Sequence, residues 1–598
     1  MKIVSKHPVL VGSVSLILAS VALYGCKNFL SDAAAPQGTL DEHTLATAAG
    51  VEGNLIAAYR TLDCTTATNA NWGCAASNWV WGSAASDDAY KGSEASDQPP
   101  IDQVEEYHWS AGDVEDYLNT KWRNVYEGVV RANATLRLLA EVQTASPGSF
   151  SVADAKGIAG EAIFLRAHYH FEAWRMWGNI PYYREDETDF RKANETSAQA
   201  ITDILLDLDS AIKLLPATPR KAQKGRATSW TAKAYKGRVQ VYSGQFAAAL
   251  TTLHDVQLNG PYALETSFDR VWSGYADTQN GPETILAYQA SSNDGEPNGD
   301  NANWGERLNF PHSGSHFGCC GFHQPSQNLV NFFQVDAAGL PLATSSPATW
   351  NASSANFTAA GTAAVDPRLD WTVGRDGVPY KDWGAHQSGW IRAPAYGGTY
   401  SPKKNIHEKG SGAEQTGGGW APTQQNSVNI HIFRYADMLL LLAEAEVEAG
   451  SVANAVAIVN QIRTRAGQRA QGPGTDRATT AVPINSPTIT WATYRIGLYG
   501  ALTQAQAREA VRNERRLELA MEGQRFFDLR RWGIAHTVLN GYLDGVGGGN
   551  EKTRRQQLDA SERWGSATDR HYLFPLPAIQ IELSKVGGQN RLVQNTGW

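Results

Sequence analysis

Sulfur is scarce in this chain, with 4 Met and 5 Cys among 598 residues. That excludes a disulfide scaffold or a pliant Met-rich surface as the main organising device. Basic runs are missing too. Lys and Arg total 52 against 60 Asp and Glu, a formal net charge of -8, which argues against a nucleic-acid surface. After the N-terminus no segment is long and apolar enough to cross a bilayer as a helix. What the chain has in quantity is 19 Trp and 22 Tyr, residues that pair a flat apolar face with a polar edge.

The N-terminus reads as an export signal. Lys2 and Lys6 precede an apolar run from Val9 to Leu23, the length of a signal core. The run ends in Leu23-Tyr24-Gly25-Cys26, where small Gly25 before Cys26 suits lipidation of the thiol and cleavage after residue 25. Several acyl chains at Cys26 would anchor the protein stably to a membrane. Residues 26–45 are small, polar and unpatterned, a flexible tether, and 46–598 form one large domain. In an oxidising compartment Cys64 and Cys74 are placed to close a disulfide. Cys319 and Cys320 lie among His312, His316 and His323, yet the spacing fits no standard zinc module, leaving a vicinal disulfide or two separate thiols.

Periodicity predicts a mainly α-helical fold. Helices are expected over 45–62, 116–142, 197–215, 229–243 and 245–259, and over a stretch covered on two sides, GEAIFLRAHYHFEAWRMWGNIPYY. Near the end, two helices flank Gly450 and Ser451, and so short a turn requires antiparallel packing. Helix pairs with recurring Ala suggest tetratricopeptide-like stacking. In NERRLELAMEGQRFFDLRRWG, Thr503 with Gln506 forms a capping box. Glu514, Glu518 and Glu522 make one row and Arg512 and Arg516 another, expected side by side on the helix surface as a structural ion-pair network.

That last segment resembles the C-terminal signature of the SusD/RagB family of outer-membrane nutrient-binding lipoproteins, ERR-x-EL-x-x-EG-x-R-x-x-DL-x-RW. Arg515, Arg516, Glu518, Leu519, Glu522, Gly523, Arg525, Asp528, Leu529, Arg531 and Trp532 stand where the pattern wants them. Glu161, Leu165, Arg166, Ala167, Tyr169, Phe171, Gly178 and Pro181 resemble a second family motif, and Phe433-Arg434-Tyr435-Ala436-Asp437 a third. The resemblance implies an all-α scaffold of four tetratricopeptide-like helix pairs, here about 46–260 and 430–598. It also implies a ligand face made by loops, a SusC-like TonB-dependent porin as partner, and lipid anchoring at the outer membrane.

Two long segments, 63–110 and a loop-rich region at 261–429, are polar yet aromatic. Flat rings beside Asn, Asp and Arg suit the apolar faces and hydroxyl edges of sugars. The expected ligand residues are Trp72, Trp79, Trp81, Asp88, Tyr90, Asn303, Trp304, Arg307, Phe317 and Trp383, with Trp109, Trp350, Trp371 and Trp390 nearby in sequence. Asp294, Glu296 and Asn298 match the first ligand spacings of a calcium loop, but Gly305 stands where the closing Glu belongs. No other cofactor is expected. The expected function is capture of an oligosaccharide without catalysis. Alternatives are a peptide ligand, a protein-binding scaffold, or a secreted glycoside hydrolase using a carboxylate pair such as Asp87 and Asp88.

Overall fold

The computed structural model describes residues 45–64, 71–344, 347–418, 424–545, 551, 558 and 560–598, apart from positions 111, 113, 313, 354 and 362. The signal segment, Cys26 and the tether up to residue 44 lie outside the described residues.

Ten helices carry the scaffold: α1 (Ala48–Arg60), α2 (Val114–Ala145), α3 (Val152–Trp177), α4 (Ser197–Leu214), α5 (Ser229–Tyr242), α6 (Phe246–Asn259), α7 (Tyr435–Ala449), α8 (Val452–Ala466), α9 (Gln504–Leu519) and α10 (Arg525–Arg531). Their starts are set locally. Thr47, Ser151, Thr196, Thr228 and Thr503 each accept a hydrogen bond from the backbone N–H three residues on, satisfying a donor the helix leaves open. Each of α2 to α5 packs on the next helix, and α7 closes the layer against α6, α8 and α9. The turns before α3, α6 and α8 are short enough to force antiparallel neighbours. The middle of helix α7 is apolar all round because it is covered all round: Met438 to Ala443 are fully buried.

Few strands are present, and they organise the loops. Strand β1 (Ala89–Gly92) pairs antiparallel with β3 (Phe322–Pro325), joining the two long segments. Strand β2 (Thr284–Tyr288) pairs antiparallel with β4 (Ile430–Arg434), closing the base of the large insertion.

Of the two charge rows only Arg512 stays partly exposed; Glu514, Glu518, Glu522 and Arg516 are buried, which corrects the expectation of a surface network. Arg515 is buried too, and the partners of these groups come from distant segments instead of from each other. Glu518 binds Arg368 and Arg434 at 2.9 and 2.7 Å and also Arg465. Glu514 binds Arg368 and Arg463 at 2.7 and 2.9 Å. Arg515 joins Asp437 to Asp528, and Glu522 takes Arg434 and Lys404. Burial by itself would raise the Glu518 carboxyl, but Arg465, Arg434 and Arg368 together hold it well below the usual range. The network is structural, as expected, and it is the hub where α7, α8, α9 and the insertion meet.

One contact at this hub admits only glycine. Gly523 has φ +66°, and a Cβ there would meet the Ser77 carbonyl oxygen at 1.9 Å; a Cβ on Gly82 would meet the Gly523 carbonyl oxygen at 1.8 Å. The 77–84 segment and the signature turn thus touch backbone to backbone.

Candidate functional site

Most of the expected ligand residues are buried. Trp79 and Trp81 are fully enclosed, donating Nε1–H to the carbonyls of Gly305 at 3.1 Å and Gly73 at 2.6 Å. Tyr90 gives its hydroxyl proton to Glu551 and accepts from the Gln327 N–H at 2.9 Å. Asn303 accepts from the Asn426 N–H at 2.8 Å. Trp72 and Trp304 stack on one another, centroids 5.6 Å apart and planes 11° from parallel, with Arg307 buried beside them. Asp88 and Asp87 are engaged by Arg516 and Arg525 at 2.8 to 3.1 Å. These side chains are too enclosed to offer a ring face or carboxylate to a sugar; Asp87 and Asp88 fasten the first loop to α9 and α10 while the others tie loop to loop, which corrects the sequence reading for them. For Trp79 and Trp81 burial won over exposure because backbone carbonyls receive their indole N–H groups, whereas Trp72 and Trp304 are buried against each other's ring faces. Below Trp79, Glu306 is enclosed with Ser77 and Asn309, and burial pushes its carboxyl up to about 7.

Phe317 and Trp383 do come together, centroids 4.9 Å apart. Phe317 is buried with Phe310, Tyr380, Trp390 and Ile406 in a small separate core, and Trp383 lies on it, partly exposed. Exposed His316 stacks on Trp383 at 4.3 Å and 29°. The Trp383 Nε1–H is tied to the His407 carbonyl at 2.8 Å, fixing the ring plane. Of the expected aromatics, Trp383 is the one left partly exposed, an oriented ring platform with Phe317 buried beneath it.

Beside it lies a polar groove of about 430 Å³, built from segments 266–278 and 469–481 with Trp371 and Glu408. The 407–411 loop joins groove to platform: Glu408 accepts from the Gly274 N–H at 2.7 Å, and Asp382, next to Trp383, accepts from the N–H groups of Lys409 and Gly410 at 2.6 and 3.0 Å. Tyr275 stands in the groove with the Arg477 guanidinium 3.9 Å over its ring, and Arg477 is paired with Asp277 at 2.7 Å. The Asp269 Oδ1 atom is buried without a hydrogen-bond partner, and burial raises that carboxyl above its ordinary value. An orphan acceptor, charged forks and ring faces in one groove are the groups that read hydroxyls and stack on pyranose rings. Sequence reasoning passed over Tyr275, Asp269 and Arg477. Tyr275 had one signal, the polar, turn-rich SGYADTQNG stretch around it; Asp269 and Arg477 lie outside that stretch.

The cysteines pair as Cys64–Cys74 and Cys319–Cys320. Asp294 accepts from the Glu296 N–H at 3.1 Å and from Asn301 at 2.9 Å, while Glu296 accepts from the N–H groups of Asn298 and Asp300 at 3.0 and 2.5 Å. Among the described residues no three His, Cys, Asp or Glu side chains converge as a metal site.

Residues 282–598 match the profile of the SusD family, and residues 61–241 match a profile described as starch-binding associating with outer membrane. The chain belongs to the SusD family. SusD-like protein P38 of Formosa agariphila is 26% identical over 444 residues, 72% of this chain and 75% of that protein. Among solved structures, a laminarin binding SusD-like protein superposes with a TM-score of 0.63 at 21% identity, over 92% of this chain and 100% of that one. Surface glycan-binding protein A from Bacteroides thetaiotaomicron, in complex with laminarihexaose, gives 0.64 at 17% identity, over 92% and 99%. These SusD structures share the fold, a helical scaffold with an all-α character.

Proposed function

We propose that this SusD-family chain is a lipid-anchored surface protein that captures an oligosaccharide and passes it to a TonB-dependent outer-membrane porin without breaking a bond. The observation that carries the reading is the polar groove at Tyr275 and Asp269 continuing into the Trp383–His316 platform. Stacking plus a few directed hydrogen bonds gives affinity modest enough for release to a second protein. The glycan-named SusD relatives and the engagement of Asp87 and Asp88 by arginines favour binding over hydrolysis.

The test is calorimetry on the protein beginning after Cys26 against a panel of β-glucan, α-glucan and other oligosaccharides. Trp383→Ala and Tyr275→Ala are each expected to weaken binding about fivefold or more, the loss of one stacked ring at ~1 kcal/mol. Full-strength binding in both variants would place the ligand elsewhere, and silence across the panel with intact fold would end the glycan reading.

A further inference from the structure

On the helical side, remote from the groove residues in sequence, a cavity of about 200 Å³ opens between α3, α5 and α10. It is lined by Trp174, Arg175, Tyr242, Phe527, Arg530 and Leu573, among others. Two of its three arginines are neutralised: Arg175 by Glu172 at 2.6 Å, Arg531 by Glu444 and Asp528 at 2.5 and 2.8 Å. Arg530 has no carboxylate partner among the described residues. Its Nη1–H reaches only the Arg175 carbonyl, at 2.9 Å, and three phenyl rings surround its guanidinium: Phe526 at 5.4 Å, Phe527 and Phe574 at 5.9 Å.

Three enclosed donor atoms belonging to lining residues lack hydrogen-bond partners: Nε of Arg530, Nε of Arg175 and the hydroxyl of Tyr242. Arg175 and Tyr242 are themselves more than nine-tenths buried. Unsatisfied donors around a charge lacking its counterion are costly, and guanidinium does not escape by deprotonating. Burial, reinforced by the neighbouring Arg175 cation, pulls Arg530 down to about 9.

The geometry points to an anion site: the Arg530, Arg175 and Tyr242 donors together bind the carboxylate of a small organic acid, whose apolar body lies against Trp174, Phe527 and Leu573. A planar carboxylate matches the guanidinium fork, whereas a bare inorganic oxyanion would leave the apolar wall uncovered. The acid is free or is the sugar-acid unit of a glycan; the recognising chemistry is the same.

Titration of the protein beginning after Cys26 with benzoate, glucuronate, glucose and inorganic phosphate tests this, read by calorimetry and by melting temperature. Benzoate or glucuronate should bind and raise the melting temperature, glucuronate responding if the source is a sugar acid and only benzoate if it is an apolar free acid. Phosphate and glucose should bind at least about tenfold more weakly. Arg530→Met should abolish the response while leaving the ligand-free melting temperature equal or higher, because an uncompensated charge is removed. Tyr242→Phe, which keeps the packing, should weaken binding severalfold. Carboxylate binding unchanged in both variants, phosphate binding as tightly as the acids, or no binding by any carboxylate would overturn the assignment.

Discussion

Glu518 is a single carboxylate on which three buried arginines converge, so its removal leaves all three short of charge. Glu518→Gln is expected to destabilise the fold by about 3–5 kcal/mol, measured by chemical denaturation at neutral pH. Its folded-state carboxyl is depressed, so the stabilisation it gives is present above its ordinary value of 4.5 and is lost as the solution is acidified. Glu306 behaves oppositely. Its folded-state value, raised to about 7 by burial, means that stability held at acidic pH is lost as pH climbs from 4.5 through 7. Glu306→Gln should flatten that part of the pH–stability profile and raise stability at pH 8 by up to the order of 3 kcal/mol. An unchanged slope between pH 5 and pH 8 would show that another group carries it.

At the level of elements, the tightest joint is the backbone contact between the 77–84 segment and the turn that links α9 to α10. Gly523→Ala combines a left-handed backbone with a collision against the Ser77 carbonyl, and should lower stability by more than about 2 kcal/mol in thermal or denaturant unfolding. Helices of this kind were legible in sequence because their signals are local: Thr503 and Gln506 announce α9, and the Gly450–Ser451 turn announces the α7–α8 pair. The start of α3 was missed by several residues, since Ser151 caps an early turn whose Ala, Gly and Lys carry no clear periodicity. The loop aromatics were legible as important but not as to why. Trp79 and Trp81 sit among Asn, Ser, Gly and Ala just as an exposed binding aromatic would, and only Gly305 and Phe574, far along the chain, decide that they are core. The groove at Tyr275 draws on four separated segments, so no window of sequence contains it.

For the whole molecule, the helical layer and the insertion are one cooperative body, because the same ions and carbonyls serve both. Arg368 of the insertion binds Glu514 and Glu518 of α9 at 2.7 and 2.9 Å, and within the scaffold Trp177 of α3 donates to the Pro575 carbonyl at 3.0 Å. A fragment of residues 45–260 should therefore lack native near-ultraviolet dichroism and show no sharp unfolding transition; a cooperative melt from that fragment would contradict the account. The pairing of Asp88 with Arg516 spans 428 residues. At about 5–20 residues per second of synthesis, its two halves are made on the order of a minute apart. Through that interval Asp87 and Asp88 lack the arginines that pair with them, and Trp177 lacks the Pro575 carbonyl that receives it. A chain so arranged completes its ion-pair hub only when its last fifth exists, so its cooperative stability belongs to the whole length and to no earlier portion of it.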